Sequence, residues 1–146
     1  MLYTPLTKLA MGLCYEAHRD QRDKGGMPYV FHPIHLAEQM LDEWTTAAAL
    51  LHDVVEDTHW TLQDLAEQGI PEPVLEALRL LTHREEIPYL EYVAALKENR
   101  IARTVKLADL RHNSDLSRLD QVDEKALVRL EKYRAAIELL EKLEPF

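Results

Sequence analysis

Thr45-Thr46-Ala47-Ala48-Ala49-Leu50-Leu51-His52-Asp53-Val54-Val55-Glu56-Asp57 is apolar on every side through its first half and rich in ionisable groups through its second. A helix without a polar face is one packed among others, so the stretch predicts a central buried helix from Thr45 to Asp57. Ionisable groups ending such a helix are costly unless they are paired or bind a metal. At about 100° per residue, positions 52, 56, 53 and 57 fall at about 0°, 40°, 100° and 140°, on one side of the helix. His52 and Asp53 can then converge on one ion, with Glu56 and Asp57 beside it as acid, base or supporting groups.

Outward from this segment, helix punctuation recurs and strand patterns are nearly absent, which predicts an all-α fold, a helical bundle. Thr4-Pro5 reads as an N-cap followed by proline at the first helical position, and Leu6, Leu9, Ala10, Leu13 and Ala17 repeat at helical spacing to an end near Asp20. Lys24-Gly25-Gly26-Met27-Pro28 breaks any regular pattern and is a candidate ligand loop. His32-Pro33 restarts a helix, with Ile34, Ala37, Met40 and Leu41 on one face. Thr61 with Asp64 looks like a capping box, and Pro71 and Pro73 flank the entry to a helix over 74–81. Pro88 precedes Tyr89, Tyr92, Val93 and Leu96, with both tyrosines expected in the core. Ile101, Val105 and Ala108 mark a further helix, on which Lys106, Asp109 and Asn113 share one face. The last helix starts near Asp123, and its apolar stripe of Leu127, Leu130, Tyr133, Ile137 and Leu140 is expected against the body. Periodicity leaves open whether that helix packs inward or forms a seam in a homo-oligomer. Glu131, Glu138, Glu141 and Glu144, interleaved with Lys132 and Lys142, read as a solvent face.

The chain has 146 residues, of which 47% are hydrophobic, and 17 basic against 26 acidic side chains give a net charge of −9. This predicts one domain over residues 1–146. Cys14 is the lone cysteine, which excludes an intrachain disulfide or a thiolate zinc cluster and points to the cytoplasm. The N-terminal residues show no leader pattern, and the longest apolar run, from Ala47 to Leu51, is far short of the roughly 18 residues that a membrane span needs. No membrane association is expected. An acidic chain without an evident basic face repels DNA and RNA, yet it accepts a small polyanion if a metal supplies positive charge. His32, His52, Asp53 and Asp109 form a mixed nitrogen and oxygen donor set, which suits Mn²⁺ or a similar divalent ion.

Four ordered blocks carry a resemblance: His18-Arg-Asp-Gln21, Gly26-Met-Pro-Tyr29-Val-Phe-His32-Pro33, Ala49-Leu-Leu-His52-Asp53-Val-Val-Glu56-Asp57-Thr58 and Val105-Lys106-Leu-Ala-Asp109-Leu-Arg-His-Asn113. Together they resemble the HD-domain metal-dependent phosphohydrolases, and within them the (p)ppGpp hydrolase domain of RelA/SpoT proteins and its stand-alone metazoan homologue. The resemblance implies a helical fold with a metal held by His32, His52, Asp53 and Asp109, and Glu56 and Asp57 handling the attacking water. It implies removal of pyrophosphate from the ribose 3′ position of guanosine tetra- or pentaphosphate, with Arg22, Lys24, Lys106 and Asn113 as candidate substrate contacts. Two positions depart from the pattern. Asp23 stands where a basic residue usually precedes the loop lysine, and Leu116 stands where a hydroxyl residue usually follows the asparagine by three. Two alternatives therefore stay open: a phosphohydrolase for another nucleotide or phosphoester, such as a nucleoside monophosphate or phosphorylated dinucleotide, and a sensor that binds metal and nucleotide without turnover. The sequence assigns His18 no role, and His35, His59 and His83 are read as core histidines.

Overall fold

The central stretch folds as a buried helix, but it stops earlier than its periodicity suggests. A computed structural model describes residues 1–142, so Glu144 lies outside the described residues. The helices are α1 (Pro5–His18), α2 (Phe31–Glu38), α3 (Glu43–Leu51), α4 (Val54–Asp57), α5 (Leu62–Glu67), α6 (Glu72–Leu81), α7 (Tyr89–Ala95), α8 (Arg100–Asn113) and α9 (Glu124–Glu141), with a 3₁₀ turn over Leu116–Arg118 before α9. The all-α expectation holds. Among the described residues the only strand-like pairing is a single bridge between Arg22 and Pro28, at the neck of the glycine loop.

The helix starts follow from short polar side chains that accept the orphan amides of the first turn. Thr4 accepts from Thr7 N while Thr7 Oγ1 accepts from Thr4 N, and Thr61 and Asp64 close the same reciprocal box. Asp42, Asn99 and Asp123 cap α3, α8 and α9. α3 packs against α1, α2, α6 and α8, and Ala47 through Leu51 are fully buried. Burial of Leu50 and Leu51 contributes about 1.5–3 kcal/mol each, while the three alanines allow close approach of the surrounding helices.

Four expectations need correction. The helix from Thr45 to Asp57 is two helices, because His52 and Asp53 form a turn between α3 and α4, where Asp53 has φ −105° and ψ 0°. The break has a chemical consequence: neighbouring residues on an unbroken helix diverge by about 100°, whereas here His52 and Asp53 turn toward the same space. Leu127 does not join the inner face of α9; it is 48% exposed, and Ala126, Leu130, Ala136 and Leu140 are the buried positions. Leu41 lies beyond the end of α2 and is also exposed. His35 and His59 are exposed and not core histidines, and His83 is half-buried. No helix among the described residues is long and apolar enough to cross a membrane.

Candidate metal centre and adjoining cleft

His32 at the start of α2, His52 at the end of α3 and Asp109 on α8 are buried and face one point, with ligand atoms within 4.8 Å of one another. His32 Nε2 lies 2.8 Å from Asp109 Oδ1, and His52 Nε2 lies 3.5 Å from the same oxygen and 3.1 Å from Asp53 Oδ2. Donor atoms around a six-coordinate ion at about 2.1 Å are roughly 3 Å apart along each edge, so His32, His52 and Asp109 have the spacing of a shared ion, and Asp53 adjoins them through His52.

The protonation pattern gives a sharper test of fit. His52 Nδ1–H donates to Ala49 O at 2.7 Å, so a neutral ring would turn its Nε2 lone pair toward carboxylate oxygens, an acceptor facing acceptors. His52 Nε2 is buried and has no hydrogen-bond partner. Burial alone would suppress protonation of this ring, yet Asp53 and Asp109 outweigh it and push the pKa well above the usual histidine value. The pocket demands a positive charge, which a divalent cation supplies and which the donor set suits.

Surrounding groups fix this set. His32 Nδ1 meets His112 Nδ1 at 2.7 Å. Burial and the Arg118 charge hold His112 down at about 4, so its ring is neutral, and in the tautomer with Nδ1 unprotonated it accepts a His32 Nδ1–H, the arrangement that frees His32 Nε2 for an ion. Asp109 is further held by Lys106 Nζ at 3.1 Å on Oδ2 and by Asn113 Nδ2 at 3.0 Å on Oδ1. Burial raises the Asp109 pKa, but Lys106, His32 and His52 carry it well below the carboxylate range. Tyr29 donates its hydroxyl to Asp53 Oδ2. Lys106 was a candidate substrate contact; the structure places its ammonium inside, between Asp109 and the rings of Tyr89 and Tyr92.

Asp53, Glu56 and Asp57 form a second acidic cluster at the rim. Glu56 Oε1 accepts from His83 N at 2.8 Å, which ties the carboxylate to the segment after α6. No hydrogen bond engages the Asp57 carboxylate among the described residues; burial, then Asp53 and Glu56, push its pKa up to about 6. His18 is fully buried, with Nδ1 2.9 Å from Gln21 Oε1, and Gln21 Nε2 donates to Asp57 O at 3.2 Å. Thus His18 and Gln21 brace the backbone that carries Asp57.

Beside the centre a cleft of about 310 Å³ opens between the glycine loop, the end of α8, the 3₁₀ turn and α9. Arg22, Lys24, Tyr29, Asn113, Arg118 and Arg129 are among its lining residues, so Arg22, Lys24 and Asn113 line one cleft. Burial, with Arg129 and Lys132 nearby, lowers the Lys24 pKa, a sign of crowded positive charge. Sequence reasoning missed Arg118 and Arg129, since both come from segments whose course depends on how α9 returns to the body. It also gave no role to His112, although that residue adjoins Asn113 in the fourth block.

Gly25 has no room for a side chain, because a Cβ there would overlap the backbone carbonyl oxygen of Arg118. Gly25→Ala is therefore expected to lift the loop from the 3₁₀ turn at a cost of about 1–3 kcal/mol, seen as a lower thermal midpoint. Unchanged melting would mean that the loop is not clamped there.

A family model described as HD domain matches residues 10–112. The bifunctional (p)ppGpp synthase/hydrolase SpoT of Escherichia coli K12 is 36% identical over 114 residues, covering 67% of this chain and 16% of that protein. A GTP pyrophosphokinase of Streptomyces coelicolor is 34% identical over 133 residues, covering 80% of this chain and 16% of that protein. The chain thus spans about a sixth of the length of these relatives. A solved structure described as a metazoan ortholog of SpoT that hydrolyses ppGpp superposes with a TM-score of 0.76 at 25% identity, covering 97% of this chain and 89% of that one.

Proposed function

The chain belongs to the HD-domain family, and on that footing we propose that it is a divalent-metal-dependent phosphohydrolase that releases pyrophosphate from the ribose 3′ position of guanosine 3′,5′-bis(diphosphate). The observation that carries the metal is His52 Nε2, a buried nitrogen without a hydrogen-bond partner that faces two carboxylates. The observation that carries the nucleotide is the cationic cleft, joined to that centre through Asn113 and Tyr29. Relatives named guanosine-3′,5′-bis(diphosphate) 3′-pyrophosphohydrolase, such as that of Haemophilus influenzae, support the same substrate.

In this reading His32, His52, Asp53 and Asp109 hold the ion, and Mn²⁺ is the proposed species because two imidazoles and two carboxylates suit it. The ion, when bound, lowers the pKa of water and offsets phosphate charge. Asp57, unengaged and raised toward neutrality, accepts the proton of the attacking water. Glu56, held by the His83 amide, keeps its carboxylate beside Asp57 and so helps to hold that proton. Water oxygen bonds to the phosphorus next to the ribose, the bond from that phosphorus to O3′ breaks, and O3′ takes a proton. The products are a nucleoside 5′-diphosphate and pyrophosphate. Arg22, Lys24 and Asn113 contact the substrate, whereas Lys106 acts through Asp109, since its ammonium is already engaged there. We place the enzyme in the cytoplasm, where Cys14 stays a buried thiol.

The test is pyrophosphate release from guanosine 3′,5′-bis(diphosphate) by metal-stripped protein, with and without Mn²⁺, beside a nucleotide panel. Release dependent on Mn²⁺ is expected. Turnover of another nucleotide alone, a phosphorylated dinucleotide for example, would keep the chemistry and move the substrate. Silence throughout would overturn the reading in favour of a non-catalytic sensor.

A further inference from the structure

We propose that Arg118, held by Asp23, is a specificity-determining residue that takes the anionic group of the nucleotide remote from the reacting phosphorus. On the function proposed above, on which this inference rests, that group is the 5′-diphosphate. Arg118 closes the 3₁₀ turn and lines the cleft. Its Nη1 donates to His112 O at 3.0 Å and to Asn113 Oδ1 at 3.3 Å, and its Nη2 donates to Asp23 Oδ2 at 3.4 Å. One guanidinium therefore joins the α8 end that supports the metal centre to the loop that walls the cleft. A guanidinium has five N–H donors, and these bonds use three of them.

Asp23 explains its own departure from the basic residue of the resembling family. Its Oδ1 accepts from Gly25 N at 2.9 Å and Met27 N at 3.0 Å, closing the loop from within. A lysine or arginine side chain has no acceptor and cannot do this. With the acid at position 23, a cation reaches the cleft from the opposite wall instead, as Arg118. The 3.4 Å contact to Asp23 is longer than the 2.7–2.9 Å of a tight charge-assisted pair. A phosphate in the cleft can thus take Nη2 while Asp23 keeps both of its loop bonds.

Charge selects an anion over a neutral base for this place. The cleft is lined by four cations, Arg22, Lys24, Arg118 and Arg129, against the two carboxylates of Asp23 and Asp115, an excess of two positive charges in a chain of net −9. A guanine ring or ribose has no need of that excess. A diphosphate carries it in opposite sign and matches the planar fork of arginine.

The experiment compares two substrates that differ only at the 5′ end, guanosine 3′,5′-bis(diphosphate) and guanosine 3′-diphosphate with a free 5′-hydroxyl, using Mn²⁺-loaded full-length protein. Arg118→Gln is expected to raise KM for the first by about tenfold or more, with kcat within about threefold and a much smaller change in KM for the second. Arg118→Lys, which keeps the charge without the fork, should fall between. Equal rises in KM for both substrates, or a fall in kcat alone, would show that Arg118 acts only by orienting Asn113 and would overturn the proposal. Thermal melts report whether each variant is folded. Calorimetric binding of guanosine 5′-diphosphate, which needs no turnover, separates the two failures. If the native protein hydrolyses neither substrate yet binds this nucleotide about tenfold more tightly than Arg118→Gln does, the reaction is wrong and the anion site stands. If it hydrolyses the first but Arg118→Gln binds guanosine 5′-diphosphate as tightly as native, the reaction stands and the anion site is overturned.

Discussion

Asp109→Ala is expected to remove Mn²⁺ binding and to lower turnover on the order of 10³-fold, since a bound cation supplies several kcal/mol to the transition state and each 1.4 kcal/mol is about tenfold. Among the described residues no other touches so many parts of the centre. Its Oδ1 meets His32 Nε2, His52 Nε2 and Asn113 Nδ2, and its Oδ2 meets Lys106 Nζ. The alanine variant also leaves the Lys106 ammonium buried without its carboxylate, a defect that costs about 3–5 kcal/mol. Loss of fold could then masquerade as loss of metal. Asp109→Asn separates the two, because it keeps the shape and removes only the charge. Equilibrium dialysis with Mn²⁺, alongside thermal melting, is the measurement: a folded Asp109→Asn protein that binds Mn²⁺ as tightly as native would remove Asp109 from the ligand set.

Much of this centre was legible in the sequence, and what was not legible has a physical cause. His52 and Asp53 stand out because ionisable groups in an otherwise fully apolar helix require a partner, an argument that needs no knowledge of the fold. Helix starts were readable for the same local reason: Thr4, Thr61 and Asp123 act on amides three residues away. The break at His52–Asp53 was not readable, because periodicity continues through it and only tertiary contacts, with Asp109 and Tyr29, turn the two side chains together. Leu127 failed for a related reason. Its spacing fits the stripe, but the face of α9 that packs on α7 and α8 is built from Ala126, Leu130, Ala136 and Leu140, and small residues give a weak hydrophobic signal. The partners of Lys106 and Arg118 are likewise set by packing: one is enclosed by two tyrosines and a carboxylate, the other bridges residues far apart in the chain.

Asp57→Asn should leave Mn²⁺ bound and lower kcat by about 10²–10⁴-fold, the range for loss of a positioned general base. The division of labour along the broken helix gives the reason. His52 meets both Asp109 and Asp53, whereas Asp57, one helical turn later, belongs to the outer acidic cluster that Asp53 shares and not to the group of His32, His52 and Asp109. Removing it therefore takes away a proton acceptor and no ligand. A stability readout distinguishes this from simple damage. Burial and the neighbouring Asp53 and Glu56 charges raise the Asp57 pKa to about 6, above its value of about 3.9 in an unfolded chain. A raised folded-state pKa stabilises the fold below the unfolded value, and that contribution is lost as pH rises through the folded value. In metal-stripped protein at pH 7, ionised Asp57 therefore opposes folding, and Asp57→Asn should melt at the same temperature as native or higher. The predicted variant is an inactive, metal-binding and undiminished fold, a combination that a structural role for Asp57 does not produce. A variant with native kcat would move the proton to Glu56, whose carboxylate is restrained by the His83 amide; a variant that is inactive because it no longer binds Mn²⁺ would make Asp57 a ligand.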